Sequence, residues 1–269
     1  MSHRPAAESL IRAINYDDFD AIMAAHHPEV MFQSFRGPNL RDSYSVTEWQ
    51  REFLERYADC TYTQPEYIED GSAVAVRSVV SAKGYDWREF EQNIVEVLEY
   101  DEAGLVTKRR MYAQHRDVVL DKAATAAMTA AKNAEGGSAS ATRKAVEDFY
   151  AALLSGETDA ARALLGDKCA YVDSIYGIVS GADAILEVIA GIPRPAFGSW
   201  RITGLHSGEN SALVELAVDA ARPRAADWVR VADGKIAVIE AYWMMREIGV
   251  NPYEEYSHDR HSRRVIQPI

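Results

Sequence analysis

Apolar residues recur along this chain with two different spacings, and the two spacings follow each other in the same order in both halves. Helical spacing is found in "AESLIRAI" and in "RKAVEDFYAALL", and a shorter helical pattern follows each of these stretches. Every-second-residue alternation, which is typical of a strand, then begins in "EVMFQSFRG" and in "CAYVDSIYG". A further helix and three closing strands are predicted in each half.

This repeated order indicates an internal duplication. Aligning the two halves matches Phe32 with Tyr171 near the start of each copy, and Gly104 with Gly234 near its end. An Ala-rich stretch that becomes rich in Gly and Ser separates the two copies. We therefore predict a domain over 1–118, a helical and Gly/Ser linker over 119–140, a second domain over 141–250 and a C-terminal tail over 251–269.

Composition narrows the classes of function. The chain has 269 residues, of which 48% are hydrophobic, and a net charge of -12. This charge opposes binding to nucleic acid or to an anionic membrane surface, and no apolar stretch has the length of a signal or a membrane span. Cys60 and Cys169 are too few for a disulfide framework or a zinc site. Because no signal or membrane span is evident, we predict a cytoplasmic protein. Phosphate-binding loops and nucleotide fingerprints are absent, so we predict a site that works without a cofactor, and we expect no metal site.

The order of elements, the passage "YVDSIYGIVSGADAI" and the ending "VRVADGKIAVIEAYW" resemble the nuclear transport factor 2-like (NTF2-like) superfamily. The similarity is greatest to its SnoaL-like and ketosteroid-isomerase-like members and extends over nearly all of both halves. It implies an α+β fold of two cone-shaped domains, each with three helices wrapped by a curved, mainly antiparallel sheet. It also implies an internal pseudo-dimer and leaves a homo-oligomer possible.

The second half carries the clearest candidate chemistry. Asp173 shares a strand face with Cys169 and Tyr171, where an unpaired carboxylate is costly, so the acid is expected to be paired, protonated, at a wet rim or in a cavity. The resemblance implies that Asp173 is a general base, while Asp227 and Tyr150 bind the oxygen of an enolate. Two carboxyl groups in one apolar cavity should have pKa values that move apart, which suits an acid and a base.

Each of these residues also has a structural interpretation. Asp173 and Asp227 can be solvated acids at the ends of strands, and Tyr150 falls on the apolar face of its helix. Many SnoaL-like enzymes have an acid two residues after the tyrosine of the last strand, but this chain has Met244 there, which excludes a base at that position.

In the first half the resemblance places Ser34 where the second half has Asp173, and it keeps an acid, Glu96, on the later strand. The predicted pocket is polar and contains arginine, and its residues are Ser34, Arg36, Glu96, Arg110 and Gln114. Such a pocket can hold a phenolate or carbonyl oxygen, because a guanidinium group offers a planar fork of donors. An ion pair of Glu96 with Arg36 or Arg110 is the structural alternative.

A longer hairpin in the first half, "SAKGYDWREFEQ", is predicted to bring Tyr85 and Trp87 to the rim of the cone. Flat side chains at that place suit an aromatic or polycyclic ligand, although packing within the hairpin is an equally good interpretation.

The sequence and its resemblance support two classes of function. The first is a cofactor-independent lyase or isomerase that uses acid–base catalysis for proton abstraction, dehydration or deformylation. The resemblance implies a hydrophobic aromatic or polycyclic substrate, such as a polyketide or a lignin-derived diaryl compound. The alternative is a non-catalytic protein of the same fold that binds small molecules or acts as a scaffold. The sequence does not decide which half is catalytic.

Overall fold

The computed structural model describes residues 2–35, 39–55, 58–83, 89–114, 120–174, 177–191, 200–217 and 223–244. The chain divides into two compact units, the first built on Met1–Asp117 and the second on Val118–Trp243. Each unit has helices packed on a curved, mainly antiparallel sheet, so the predicted α+β class is confirmed.

The first unit begins with two helices and then alternates strands with one further helix. Its elements are α1 (Arg4–Asn15), α2 (Phe19–Ala24), β1 (His26–Gln33), α3 (Ser43–Glu55), β2 (Ala58–Asp70), β3 (Ala73–Lys83), β4 (Glu89–Tyr100) and β5 (Val106–Ala113). Strand β1 pairs in parallel with β5, and β5, β4, β3 and β2 follow one another in antiparallel order.

The second unit repeats this plan and adds a helix before it and a short strand within it. Its elements are α4 (Lys122–Lys132), α5 (Ala139–Ser155), α6 (Thr158–Ala163), β6 (Leu165–Asp173), β7 (Gly177–Ser180), α7 (Ala182–Gly191), β8 (Arg201–Ser207), β9 (Ser211–Ala217), β10 (Pro223–Ala232) and β11 (Lys235–Trp243). Strand β6 pairs in parallel with β11, and the order β11, β10, β9 and β8 is antiparallel.

The backbone carries the same duplication that the sequence shows. Asp17 follows α1 and Gly156 follows the equivalent helix α5, and both have a positive φ, of 53° and 81°. Gly104 and Gly234 likewise have φ values of 81° and 72° in the turn before the last strand. The left-handed conformation is easiest for glycine, which explains why the turn before the last strand keeps glycine in both copies.

The side chains of β6 separate the two faces of the second sheet. Tyr171 and Asp173 lie on the inner face, on the side of α5 and α7, whereas Ala170 and Val172 pack against α4. The helix predicted as part of a linker therefore packs on the outer face of β6 and on Val238 of β11.

The structure has one more closing strand in each half than the three predicted. In the first unit the extra strand is β2, which contains Pro65 and lies at the edge of the sheet of that unit. A proline and several polar residues weaken the sequence pattern of a strand, but both are tolerated at the edge of a sheet.

Candidate active site

The second unit contains a pocket of about 590 Å³ between its helices and its sheet. The walls are mainly apolar and aromatic and come from α5, α7 and the inner face of the sheet. They include Leu153, Tyr171, Leu186, Ile189, Trp200, Leu216 and Trp243. A volume of this size is typical of sites that enclose a small organic molecule.

Tyr150 and Asp227 form a hydrogen-bonded pair on the wall of this pocket. Tyr150 belongs to α5, where Val146 and Phe149 anchor the same buried face, and Asp227 belongs to β10. The Tyr150 hydroxyl donates to Oδ2 of Asp227, whose residue is only 8% exposed. Both side chains are therefore fixed before any ligand enters.

Burial raises the pKa of Asp227 from 3.8 to about 7; the negative charge of Asp173 acts in the same direction, and the hydrogen bond from Tyr150 acts against it. Burial and the nearby Asp227 also raise the pKa of Tyr150 well above that of a free phenol. Near neutral pH the site thus holds a carboxyl group that exists in both protonation states, beside a phenol that keeps its proton.

Asp173 lies at the end of β6 and is 1% exposed. Oδ2 accepts a hydrogen bond of 2.7 Å from the Tyr171 hydroxyl, and Nε1 of Trp243 lies 3.2 Å from each carboxylate oxygen. Among the described residues, those lining the pocket include Tyr171 and Trp243 but not Asp173. The carboxylate is therefore separated from the pocket by the two side chains that donate to it.

The sheet register explains why these acids are neighbours. Asp173 of β6 and Asp227 of β10 are both paired with Ala241 of β11, which lies between them. Adjacent strands are about 4.8 Å apart, so the two backbones are roughly 10 Å apart across Ala241. All three residues therefore share the inner face of the sheet.

The structure thus brings together the three residues that the sequence singled out in the second half, Tyr150, Asp173 and Asp227. It adds Tyr171 and Trp243, neither of which the sequence singles out as a site residue. Alternation already placed Tyr171 on the face of Asp173, but nothing in the sequence showed that its hydroxyl bonds to the acid.

In the first unit Glu96 forms a buried ion pair, but with a different arginine from those predicted. Nε of Arg109 lies 2.6 Å from Oε2 of Glu96, and Nη2 of Arg109 donates to Oε1 of Gln50 at 2.9 Å. Arg110 instead pairs with Glu99 at 2.6 Å. The predicted pairing of Arg110 with Glu96 is therefore wrong.

The register gives the reason. Glu96 is paired with Met111, so Arg109, two residues away on the same strand, shares its face, whereas Arg110 is paired with Val97 and lies on the opposite face. Gln114 lies on that opposite face too, where its Oε1 accepts from Nδ2 of Asn93 at 2.8 Å. The predicted set of Ser34, Arg36, Glu96, Arg110 and Gln114 therefore does not line one pocket.

Of the remaining residues predicted for the first half, the structure describes only Ser34. Ser34 is buried, at 6% exposure, directly after β1. Arg36, Tyr85 and Trp87 lie outside the described residues.

The part of the chain that the structure describes shows neither a cluster of metal ligands nor a membrane-spanning helix. No group of three or more His, Cys, Asp or Glu side chains there is arranged to hold a metal ion. None of the described helices is both long and apolar enough to cross a membrane.

Several solved structures resemble one half of the chain. An NTF2-like protein from Burkholderia pseudomallei is 18% identical with a TM-score of 0.39, and the match covers 42% of this chain and 92% of that one. IdmH, a candidate polyketide cyclase from Streptomyces antibioticus, is 15% identical with a TM-score of 0.39. The match covers 42% of this chain and 92% of IdmH. A protein of ketosteroid isomerase-like fold from Catenulispora acidiphila, solved with trimethylamine, is 11% identical with a TM-score of 0.37. This match covers 40% of this chain and 83% of that protein.

No curated protein sequence matches the chain. The family model for the SnoaL-like domain matches residues 7–109 and again residues 146–239, which together make up more than half of the sequence. The two matches fall within the two compact units and agree with the duplicated backbone. The chain therefore belongs to the SnoaL-like domain family and is a tandem NTF2-like protein with one copy of the domain in each half.

Proposed function

We propose that the second unit is an active site that removes a proton from a hydrophobic small molecule by acid–base catalysis, as a lyase or isomerase does. The observation that carries the proposal is the Tyr150–Asp227 pair on the wall of an apolar pocket, with Asp173 close enough to affect the pKa of Asp227. Carboxyl groups with shifted pKa values in a cleft are typical of acid–base sites.

The roles follow from the surroundings of each group. Asp173 accepts hydrogen bonds from a phenol and an indole, and donors of this kind stabilise a carboxylate, which suits an ionised proton acceptor. Asp227 in its protonated form can donate a hydrogen bond, and Tyr150 is a second donor beside it. Together they can stabilise the negative charge that develops on a carbonyl oxygen when a neighbouring C–H bond breaks.

The pocket walls favour a flat, largely apolar substrate. Trp200 and Trp243 meet edge to face with ring centroids 6.2 Å apart, and leucine and isoleucine side chains form much of the remaining wall. An aromatic or polycyclic ketone of two or three rings would fit this volume and would present a carbonyl oxygen to Tyr150 and Asp227.

Tritium release from C1 of 2-tetralone tests the proposal. Removing a C1 proton from this bicyclic ketone gives an enolate conjugated with the aromatic ring, and 2-naphthol serves as the planar analogue of the enol for binding measurements. Asp173→Asn and Asp227→Asn should each slow release about 10²- to 10⁴-fold, the usual contribution of one acid–base group. Binding of 2-naphthol should remain.

Asp167→Asn is the matched control, because it makes the same substitution at an exposed position of the same strand. It should leave the rate unchanged. If the unaltered protein releases no tritium above the buffer rate but binds 2-naphthol, the proposal fails and the second unit is better described as a ligand carrier.

A further inference from the structure

The proton acceptor of the second unit does not itself reach the pocket. Asp173 is 1% exposed, and among the described residues the pocket wall nearest to it is formed by Tyr171 and Trp243. Both of these side chains donate hydrogen bonds to its carboxylate. A substrate in the pocket therefore meets the donors of Asp173 rather than its oxygens.

The two donors differ in what they can do with a proton. An indole N–H such as that of Trp243 can donate a hydrogen bond but has no lone pair with which to accept one. A phenol hydroxyl such as that of Tyr171 can do both at the same time. Of these two described donors, only Tyr171 can take a proton on one side and release one on the other.

We propose that Tyr171 is a catalytic residue that relays the substrate proton to Asp173. This inference rests on the proposed function and adds a proton path to it. The C–H bond of the substrate breaks, and its proton forms a new O–H bond at Oη of Tyr171. The original hydroxyl proton passes over the 2.7 Å hydrogen bond to Oδ2 of Asp173. The electron pair of the C–H bond forms the C=C bond of an enolate, and the π pair of the C=O bond moves onto the oxygen, which Asp227 and Tyr150 stabilise.

The two transfers must occur together. Burial raises the pKa of Tyr171 well above that of a free phenol, and the charges of Asp173 and Asp227 raise it further. A separate phenolate intermediate would therefore be costly. When the hydroxyl gives its proton to Asp173 as it accepts another, the phenol stays neutral and the negative charge moves from Asp173 to the substrate.

The first unit provides a natural comparison. In the alignment of the two copies Phe32 occupies the position of Tyr171 and Ser34 that of Asp173, so the first half lacks both members of the relay. Phe32 is fully buried and packs edge to face on Trp49. The proton donor and the proton acceptor are thus present together in one copy and absent together in the other.

The solvent isotope effect on tritium release from C1 of 2-tetralone separates the relay from a direct transfer. In the relay a solvent-derived hydron moves from Tyr171 to Asp173 in the same step that breaks the C–T bond, so release should be clearly slower in D₂O than in H₂O. Direct transfer to Asp173 moves only the substrate hydron, and release should then proceed at nearly equal rates in the two solvents. This measurement uses the unaltered protein and does not depend on the folding of a variant.

Tyr171→Phe gives the second readout. We expect it to slow release about 10²- to 10⁴-fold, as for Asp173→Asn, and the double variant should lose no more than either single one, because the two residues act as a unit. Melting temperature and 2-naphthol affinity should stay close to those of the unaltered protein. Tyr242→Phe is the control, since it removes a buried hydroxyl of β11 that lies 3.5 Å from Oε1 of Glu240, on the other face of the sheet from Asp173.

The possible outcomes are distinguishable. A wild-type rate in Tyr171→Phe, or equal rates in H₂O and D₂O, overturns the relay while the loss in Asp173→Asn and Asp227→Asn still supports the proposed function. If the unaltered protein releases no tritium, the proposed function fails and the relay fails with it.

Discussion

The two units contain an acid at the same place in the sheet and give it opposite surroundings. Glu96 is paired with Met111 across β4 and β5, and Asp227 is paired with Ala241, which is the residue of the second copy that corresponds to Met111. Glu96 contacts the guanidinium of Arg109 and is held as an ion pair. Asp227 accepts a hydrogen bond from a neutral phenol, and its pKa rises to about 7.

Single substitutions at equivalent positions account for this contrast. In the alignment of the two copies Arg109 corresponds to Ile239, and Tyr150 corresponds to Ile11. The first unit thus has a cation in the place of an aliphatic side chain, and an aliphatic side chain in the place of the phenol. The acid at this position is held in an ion pair in one copy and lies hydrogen-bonded to a phenol on the wall of a pocket in the other.

The space around the acids differs in the same way. Thr158 and Ala190 line the pocket of the second unit, and the residues at the matching positions of the first unit are Phe19 and Arg51. There the guanidinium of Arg51 lies 3.9 Å from the centroid of the Phe19 ring. Larger side chains that stack on one another therefore occupy positions that line the pocket in the second unit.

The prediction with the largest expected effect concerns the ion pair of the first unit. Arg109→Met leaves Glu96 buried without its counter-charge and should lower the free energy of unfolding by about 3–5 kcal/mol. Ile239→Met at the equivalent position of the second unit is a nearly volume-conserving change and should cost less than about 1.5 kcal/mol. Urea unfolding of both variants at pH 7 measures the difference.

Equal losses in these two variants would contradict the contrast between the units. A further variant sharpens it: adding Glu96→Gln to Arg109→Met removes the unpaired charge and should restore part of the lost stability, since most of the penalty comes from the isolated carboxylate.

The sequence was sufficient to predict the fold because its signals are repeated. Two helical patterns, an alternating strand and a glycine turn occur twice in the same order, and Gly104 and Gly234 fix the register of the last strands. The additional strand β2 was missed because Pro65 and polar residues obscure its alternation, which an edge strand does not need.

For the candidate site, the sequence predicts which residues share one face of a strand or helix, but not which side chains contact each other. Alternation and the resemblance selected Asp173, Asp227 and Tyr150, and the structure brings these residues together. The partner of Glu96 was missed because Arg109 and Arg110 are adjacent, and a one-residue difference in register exchanges the faces on which they lie. The hydrogen bonds of Tyr171 and Trp243 to Asp173 depend on rotamers, which no sequence pattern specifies.

A second prediction concerns the pH dependence contributed by Asp227. Its pKa is 3.8 when unperturbed and about 7 in the folded chain. Between these values the folded state retains a proton that the unfolded state has lost, so this group makes the protein less stable as the pH rises from about 4 to about 7. The full loss is at most about 4 kcal/mol.

Asp227→Asn should abolish this contribution, because the amide does not titrate. The variant should therefore gain stability relative to the unaltered protein as the pH rises through this range, and urea midpoints at several pH values measure the difference. A constant difference between the two proteins from pH 4 to pH 8 would show that Asp227 has an ordinary pKa.

The last prediction concerns His26, which gives the stability of the first unit the opposite pH dependence. This residue is 3% exposed, and its Nδ1 lies 2.7 Å from the carbonyl oxygen of Ile22, so the Nδ1–H tautomer can donate there. Burial lowers the pKa of His26 from 6.5 to about 4, and the positive charge of Arg109 acts in the same direction. As the pH falls from about 6.5 to about 4, the unfolded state binds a proton that the folded state excludes. Stability is then lost toward acid, by at most about 3 kcal/mol.

His26→Gln keeps a side-chain donor but does not titrate, so the variant isolates this contribution. Its stability relative to the unaltered protein should rise as the pH falls, whereas that of Asp227→Asn should rise as the pH increases. The trends are opposite because burial favours the neutral form of both groups, and the neutral form is the deprotonated one for His26 but the protonated one for Asp227. Urea midpoints of the two variants over the same pH series measure both trends. Midpoints that shift in the same direction with pH would show that the two interiors do not differ electrostatically in the way the structure indicates.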